Sequence, residues 1–137
     1  MGLPVTTDPF ALALDLARRA ARVGEVPIGA VITCNGRVIA KAHNMREHKQ
    51  NAIYHAEVLA IMRACKKLKS WRLDNCEMYV TLEPCPMCRG AITNARIKKV
   101  YYGAKSDSDL NWTTPYENLE NAESQKLLRD FFKSARQ

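Results

Sequence analysis

The order of hydrophobic and polar residues along the chain predicts most of its helices and strands. Between Phe10 and Ala21, apolar residues recur every three or four positions, which is the period of a helix with one buried face. Asp8-Pro9 supplies an N-cap and a proline at the first helical position, and Gly24 is a natural stop. The first element is therefore predicted to be a helix.

Two short strands joined by a tight turn are predicted next. Residues 28–33 are apolar and partly β-branched, which is typical of a strand. Asn35-Gly36 is the strongest short hairpin signal, and residues 37–42 follow it as the return strand. The polar residues 44–53 show no periodicity and are expected to form a loop.

The rest of the chain alternates helices with strands. Helices are predicted over residues 55–68, 86–96 and 123–135, strands over residues 77–82 and 99–103, and a loop over residues 105–115. The strand–helix–strand unit between Met78 and Tyr102 implies a parallel pair, and the hairpin adds an antiparallel edge. The sequence therefore predicts a mixed sheet with helices on both faces.

Two of these helices are expected to bury a hydrophobic stripe. On the second helix the predicted stripe comprises Val58, Leu59, Ile61, Met62 and Cys65. On the last helix the predicted apolar side comprises Leu127, Leu128, Phe131 and Phe132.

Length and composition indicate one domain, residues 1–137, because no repeat, linker or low-complexity segment suggests a boundary. A domain of this size buries enough surface to fold without disulfides or a structural metal, so a metal site is examined for function first. The five cysteines are an odd number, residues 1–10 do not resemble a targeting segment, and no apolar stretch approaches membrane-spanning length. We therefore expect a soluble, reduced, cytoplasmic protein with no membrane partner.

Two short motifs carry residue types that bind metals. His55-Ala56-Glu57 stands at a predicted helix start, and Pro84-Cys85-Pro86-Met87-Cys88 stands at a strand-to-helix junction. The predicted topology places both helix starts at one end of the sheet. Cys85 and Cys88 are one helical turn apart, and a helix N-terminus favours thiolates, so both sulfurs can reach one ion. His55 can supply a third ligand.

Three protein ligands leave the fourth zinc position open for water, which is the pattern of a catalytic zinc. Thiolate and imidazole ligands favour zinc, so we expect one Zn²⁺ per chain. Residues two apart on a helix do not share a face, so Glu57 is not expected to bind the same ion as His55. Glu57 is instead predicted to transfer protons as the catalytic residue.

A lone C-x-x-C motif also occurs in redox pairs and as half of a structural zinc site. The chain has no second C-x-x-C motif, and a redox pair does not require His55 or Glu57. The joint pattern H-x-E followed by P-C-x-x-C is the signature of zinc-dependent nucleobase deaminases. The pattern therefore favours a catalytic zinc site.

From Phe10 to Gly103 the chain resembles the cytidine deaminase-like superfamily, and most closely the bacterial tRNA adenosine deaminases. The stretches that carry the resemblance are Glu25 to Val31, His55 to Glu57, Tyr79 to Cys88 and Leu127 to Lys133. It implies a three-layer α/β/α fold with a central mixed sheet of about five strands. It also implies a homodimer that hydrolytically converts the wobble adenosine of a tRNA anticodon to inosine.

At the matching positions the resemblance implies a set of substrate-binding residues: Val26, Pro27, Ile28, Asn44, Ala56, Glu83 and Pro84. Asn44 would hydrogen-bond the base, and residues 26–28 would pack against it. Glu83 and Pro84 would approach the base beside the metal. Without the resemblance, Asn44 is an ordinary loop residue, and Val26 and Ile28 are equally well explained as core.

Departures from the resembled enzymes fall where the substrate is recognised. Tyr54 is bulky where small residues are usual, and Ser106 replaces a common aspartate. Residues 107–118 form a segment shorter than usual without the expected glycines. These departures favour an alternative, a deaminase of a free nucleobase or nucleoside of the guanine or cytosine type. A third hypothesis is a zinc-stabilised binding protein without catalysis, in which replacing Glu57 would change nothing but stability.

The expected partner is a tRNA anticodon stem-loop, with a small nucleobase as the alternative. The formal net charge of +7 weakly favours a polyanion. Basic side chains such as Lys98 and Lys133 would contact phosphates, and Phe131 or Phe132 would stack on a base. Each of these residues is also explained as part of a solvated or packed helix face.

Overall fold

The computed structural model of the chain describes residues 8–106 and 114–135. Its helices are α1 (Pro9–Arg22), α2 (Ala56–Leu68), α3 (Pro86–Asn94) and α4 (Ala122–Ala135). Its strands are β1 (Gly29–Cys34), β2 (Arg37–His43), β3 (Cys76–Leu82), β4 (Lys99–Ala104) and β5 (Tyr116–Asn118). Most of the short segment predicted over residues 107–118, namely residues 107–113, lies outside the described residues.

The five strands form one mixed sheet in the order β2-β1-β3-β4-β5. β1 is antiparallel to both β2 and β3, whereas β3, β4 and β5 run parallel. The predicted hairpin edge and the predicted parallel pair are both confirmed. The three-residue strand β5 was not predicted from the sequence, because so short an element carries no periodicity of its own.

The turn between β1 and β2 follows directly from its two residues. Asn35 has φ 52° and Gly36 has φ 81°, and a two-residue hairpin turn of this type needs positive φ at both positions. The turn pairs Cys34 with Arg37 and brings Gly29 opposite His43 at the far end of the hairpin. That far end carries the loop that begins at Asn44.

α1 begins as the sequence predicts and packs closely on β1. The Asp8 carboxylate accepts hydrogen bonds from the N–H groups of Phe10 and Ala11 at 3.0 and 3.2 Å. A Cβ atom on Gly29 would lie 2.0 Å from the Ala13 carbonyl oxygen, so only glycine permits this contact. α1 therefore lies directly against the start of β1.

The buried face of α2 differs from the predicted stripe. The residues that α2 buries are Ala56, Glu57, Leu59, Ala60 and Ala64. Of the predicted stripe only Leu59 is buried, and Met62 is 50% exposed. Alanines let the helix backbone approach the sheet closely, so the larger side chains lie on its flanks.

Helices cover both faces of the sheet, and the H-x-E and P-C-x-x-C motifs lie at the starts of α2 and α3. Ala30 and Ile32 of β1 belong to the core beneath α2 and α3, whereas Val31 packs against α1. α4 packs beside α1, with Leu127, Leu128 and Phe131 half-buried and Phe132 46% exposed. No helix in the described ranges is long and apolar enough to cross a membrane.

Candidate active site

The two metal-binding motifs lie at the first residues of α2 and α3. His55 is the N-cap of α2, and Cys85 is the N-cap of α3. Both residues have extended backbone conformations, and neither side chain caps its own helix. Their side chains are consequently free to face each other across the gap between the two helices.

The structure brings His55, Cys85 and Cys88 together, as the sequence predicts. His55 Nδ1 lies 3.7 Å from Cys85 Sγ and 3.5 Å from Cys88 Sγ. All three atoms lie within 4.8 Å of one another. Within residues 8–106 and 114–135, this is the one group of three or more His, Cys, Asp or Glu side chains with that spacing.

The pKa values of His55, Cys85 and Cys88 are shifted in different directions by their mutual contacts. The hydrogen bond with Cys88, and next that with His55, lower the pKa of the Cys85 thiol to about 3. The contact with Cys85, together with burial, raises the pKa of Cys88, and the hydrogen bond with Cys85 raises the pKa of His55. One thiolate is thus stabilised by neighbouring protons, which a divalent cation would displace on binding.

Glu57 brings a buried carboxylate to the same place. The residue is 3% exposed, and its Oε1 atom has no hydrogen-bond partner in the part of the chain that the structure describes. Burial raises the pKa of Glu57 to about 7, although the positive charge of the His55 ring acts in the opposite direction. A buried oxygen without a donor needs one, and water or substrate in the adjoining cavity can supply it.

These residues fit a zinc ion. Two sulfurs and one imidazole nitrogen are ligand types of catalytic zinc sites, and the N-terminus of α3 stabilises the thiolates. The unpaired Glu57 oxygen fits the same assignment, because a water molecule held by the ion would complete its hydrogen bonding. The group of side chains that the structure brings together is therefore the one that the sequence predicts.

A cavity of about 620 Å³ opens at His55 and Cys85, within the size range of small-molecule sites. Its wall is formed by Val26, Ile28, Asn44, Arg46, His55, Glu57, Leu82, Glu83, Cys85, Pro86, Ser106 and Phe132. His55, Cys85 and Glu57 thus share one cavity with apolar side chains.

The predicted substrate-binding residues divide into two groups. Val26, Ile28, Asn44 and Glu83 line the cavity. Pro27, Ala56 and Pro84 are buried and are not part of its wall. Each of the three is adjacent in the chain to a residue of the wall.

The loop that carries Asn44 is held by a buried carboxylate. Glu25 accepts hydrogen bonds from the backbone N–H groups of Glu47 and His48 at 3.1 and 2.7 Å. It also contacts Asn44 Nδ2 at 3.4 Å and His48 Nδ1 at 2.9 Å. Asn44 is fixed further by its backbone N–H, which donates to the Ile28 carbonyl at 3.1 Å.

Sequence reasoning did not single out Arg46, Leu82 and Pro86 as wall residues. Pro86 lies within the P-C-x-x-C motif and Leu82 lies two residues before it, so their closeness to the motif in the sequence was the available signal. Arg46 stands two residues after Asn44 in a polar loop, where no periodicity distinguishes it from its exposed neighbours. The hypothesis that Phe132 is available to a substrate agrees with its exposure and its place in the wall.

Comparison with known proteins agrees with this geometry. The chain matches the MafB19-like deaminase family over residues 6–136. It is 40% identical over 139 residues to a tRNA-specific adenosine deaminase of Aquifex aeolicus, covering 91% of this chain and 92% of that protein. It is 55% identical over 92 residues to the tRNA-specific adenosine deaminase of Bacillus subtilis, a match that covers 67% of this chain but only 57% of the relative.

Solved structures show the same fold. One comes from a study of A-to-I editing by tRNA:A34 deaminases at the wobble position of transfer RNA. It superposes with a TM-score of 0.81 at 37% sequence identity, covering 88% of this chain and 98% of that one. The mixed five-stranded sheet with its four helices is therefore the architecture of these enzymes.

Proposed function

Since the chain belongs to the MafB19-like deaminase family, we propose that it converts adenosine to inosine at the wobble position of a tRNA anticodon. Membership makes the chain a hydrolytic deaminase, which replaces an amine with oxygen from water and releases ammonia. The observation that carries the proposal is a buried Glu57 carboxylate, with its Oε1 atom unpaired, in one cavity with His55 and Cys85 of the His55, Cys85 and Cys88 group.

The proposed metal is one zinc ion per chain, held by His55, Cys85 and Cys88. When bound, zinc lowers the pKa of water and polarises it towards a hydroxide nucleophile. Metal analysis of the purified protein and of its Cys88→Ser variant tests this set. We expect stoichiometric zinc in the first and little in the second, and retained stoichiometric zinc in the variant would contradict the ligand set.

Residues of this chain carry out the proton transfers and hold the base. Glu57 accepts a proton from the attacking water, delivers it to a ring nitrogen of the base, and then helps protonate the departing ammonia. Its burial keeps the carboxyl able to hold or release a proton near neutral pH. Asn44 hydrogen-bonds the base, and Val26 and Ile28 pack against its plane and exclude water.

Three observations favour an RNA over a free base. Arg46 places a permanent cation in the cavity wall, where a phosphate next to the target nucleoside would lie within its reach. Phe132, half exposed in the same wall, offers a surface for stacking. The net charge of +7 suits a polyanion. The departures at Tyr54 and Ser106 keep a free base or nucleoside as the alternative.

The deciding experiment measures inosine and ammonia from purified protein. The substrates are an anticodon stem-loop with a wobble adenosine, the same stem-loop with that adenosine moved one position, and free adenosine, guanine and cytosine. We expect turnover of the first substrate alone. Turnover of a free base with the stem-loop untouched would overturn the RNA assignment in favour of the alternative.

Glu57→Gln is the matched catalytic variant, because it keeps the shape of the side chain but cannot accept the proton. We expect a loss of about 10²- to 10⁴-fold in kcat with zinc content unchanged. Glu77→Gln on β3 is the control, since Glu77 is not part of the cavity wall. A Glu57→Gln enzyme with normal kcat would contradict the catalytic role of Glu57, whereas a wild-type protein that binds zinc but turns over none of the substrates would support the non-catalytic binding protein.

We also propose a homodimer that works in the cytoplasm. Large apolar side chains are exposed on α2 and α3, at Met62 and Met87, and a second copy would cover such surface. None of the five cysteines forms a disulfide with another described residue, as is usual in a reducing compartment. Sedimentation equilibrium tests the dimer and fractionation tests the compartment; a monomer at micromolar concentration would contradict the first.

A further inference from the structure

Arg89 is a charged residue in an unusual place. It directly follows Cys88 in α3 and is 3% exposed. A guanidinium stays protonated in proteins, so its burial is costly unless its charge and its N–H groups are matched by acceptors. Two of the acceptors that match them lie on the residues just before Cys85.

The guanidinium contacts both residues that precede Cys85. Arg89 Nη2 lies 2.5 Å from Glu83 Oε2, and Arg89 Nε donates to the Pro84 carbonyl oxygen at 2.9 Å. The backbone N–H of Arg89 donates to the Cys85 carbonyl at 2.9 Å. Arg89, which follows Cys88, is thereby bonded to Glu83 and Pro84, the two residues that precede Cys85.

The ion pair is also tied to the neighbouring strands. Glu83 Oε1 accepts hydrogen bonds from the backbone N–H and the hydroxyl of Ser106 at 3.0 and 3.1 Å. The backbone N–H of Glu83 donates to the Ala104 carbonyl at 2.8 Å, and the Tyr116 ring lies 4.8 Å from Arg89 Cζ. One charged contact therefore joins the ligand loop to the ends of β4 and β5.

We propose that Arg89 is a positioning residue for the reaction. With Glu83 as its partner, it fixes the directions of the Cys85 and Cys88 sulfurs towards His55 and sets the cavity wall at Glu83 and Ser106. The planar guanidinium matters as much as its charge, because two donors must reach two acceptors at once. Outer residues that orient metal ligands change metal affinity about 10- to 100-fold when replaced.

The competing explanation is that the pair only stabilises the fold. The two explanations differ for Arg89→Lys, which keeps a cation beside Glu83 but has a single donor atom. A purely structural role predicts that lysine restores both stability and function. A positioning role predicts that lysine restores the melting temperature while zinc affinity and kcat remain low.

The test compares Arg89→Met, Arg89→Lys and wild-type enzyme by zinc affinity in a chelator competition, kcat and KM separately, and thermal melting. Arg72→Met is the matched control. Arg72 also pairs with a carboxylate and stacks on an aromatic ring, but it is exposed and stands before β3, away from the site.

We expect at least a tenfold loss of zinc affinity and a loss of about 100-fold in kcat with KM little changed in both Arg89 variants. The Arg72 variant should match the wild type. The activity arm rests on the proposed function, whereas the zinc arm does not. An inactive wild type that binds zinc would therefore count against the proposed function alone.

The absorption of Co²⁺ bound in place of zinc reports the geometry of its thiolate ligands, and we expect it to differ in Arg89→Lys. If Arg89→Met does not fold, Arg89→Lys carries the test. Wild-type zinc affinity and Co²⁺ spectrum in a folded Arg89→Lys variant would overturn the proposal.

Discussion

Ser106 shows how one residue is matched to its surroundings. The resembled enzymes commonly carry an aspartate at this position, and here the serine hydroxyl and N–H both donate to Glu83 Oε1. A carboxylate has no proton to donate there. The serine therefore suits a site in which the other oxygen of Glu83, Oε2, forms the ion pair with Arg89.

Replacing Ser106 with aspartate is expected to harm this chain. The new carboxylate would replace a donor with a like charge beside the buried Glu83, at a cost of about 1–3 kcal/mol in the free energy of unfolding. Chemical denaturation at neutral pH measures the change. Ser106→Ala, which removes the hydroxyl without adding charge, is the control and should lose less. A Ser106→Asp variant as stable as the wild type would refute this account of the departure.

At the scale of the element, the loop after β2 depends on a carboxylate from another part of the chain. Glu25 is fully buried before β1 and holds the backbone of Glu47 and His48. Burial alone raises the pKa of Glu25, but these N–H groups and the His48 ring outweigh it, so the pKa lies below its ordinary value. The ionised carboxylate thus stabilises the loop that presents Asn44 and Arg46.

Glu25→Gln should lower the free energy of unfolding by about 2 kcal/mol or more, because an amide cannot accept all of these hydrogen bonds. The sign of the pH dependence follows from the lowered pKa. The advantage of the wild type is complete well above pH 4.5 and disappears as the pH falls through the lower folded pKa.

Denaturation of both proteins between pH 7 and pH 3 gives the difference directly. Glu120→Gln, at an exposed position, is the control. A stability difference that stayed constant over this range would show that the Glu25 charge does not hold the loop.

At the scale of the whole molecule, charge and cavity act together. The net charge of +7 attracts a polyanion from any direction, whereas Arg46 places one positive charge in the cavity wall itself. Binding through phosphates releases counterions, so affinity for the stem-loop should fall steeply with salt.

Arg46→Ala should weaken stem-loop binding and reduce the slope of log K against log salt by about one, because one phosphate contact is lost. Filter binding of the stem-loop from low to high salt provides the measurement. Arg37→Ala is the control, since Arg37 lies beside the hairpin turn at the opposite end of β2 from Asn44. An unchanged slope for Arg46→Ala would mean that this cation faces no phosphate.

Most of the helices and strands, and the cluster of His55 with the two cysteines, could be predicted from the sequence because they depend on local spacing. Asp8-Pro9 and Asn35-Gly36 specify a helix start and a turn through backbone preferences. The H-x-E and P-C-x-x-C motifs place their ligands at helix N-termini, so the cluster of His55, Cys85 and Cys88 was foreseeable.

Part of the cavity wall, the buried face of α2 and the buried ion pair depend on tertiary packing and could not be predicted. The alanine face of α2 replaced the predicted stripe because close helix–sheet packing favours small side chains over large ones. Strand β5 is defined by its pairing with β4 and by no pattern of its own. Glu83 contacts Arg89, which is six residues away in the sequence, and Ser106, which lies beyond the next strand. No local spacing encodes these contacts, because they depend on how the elements pack.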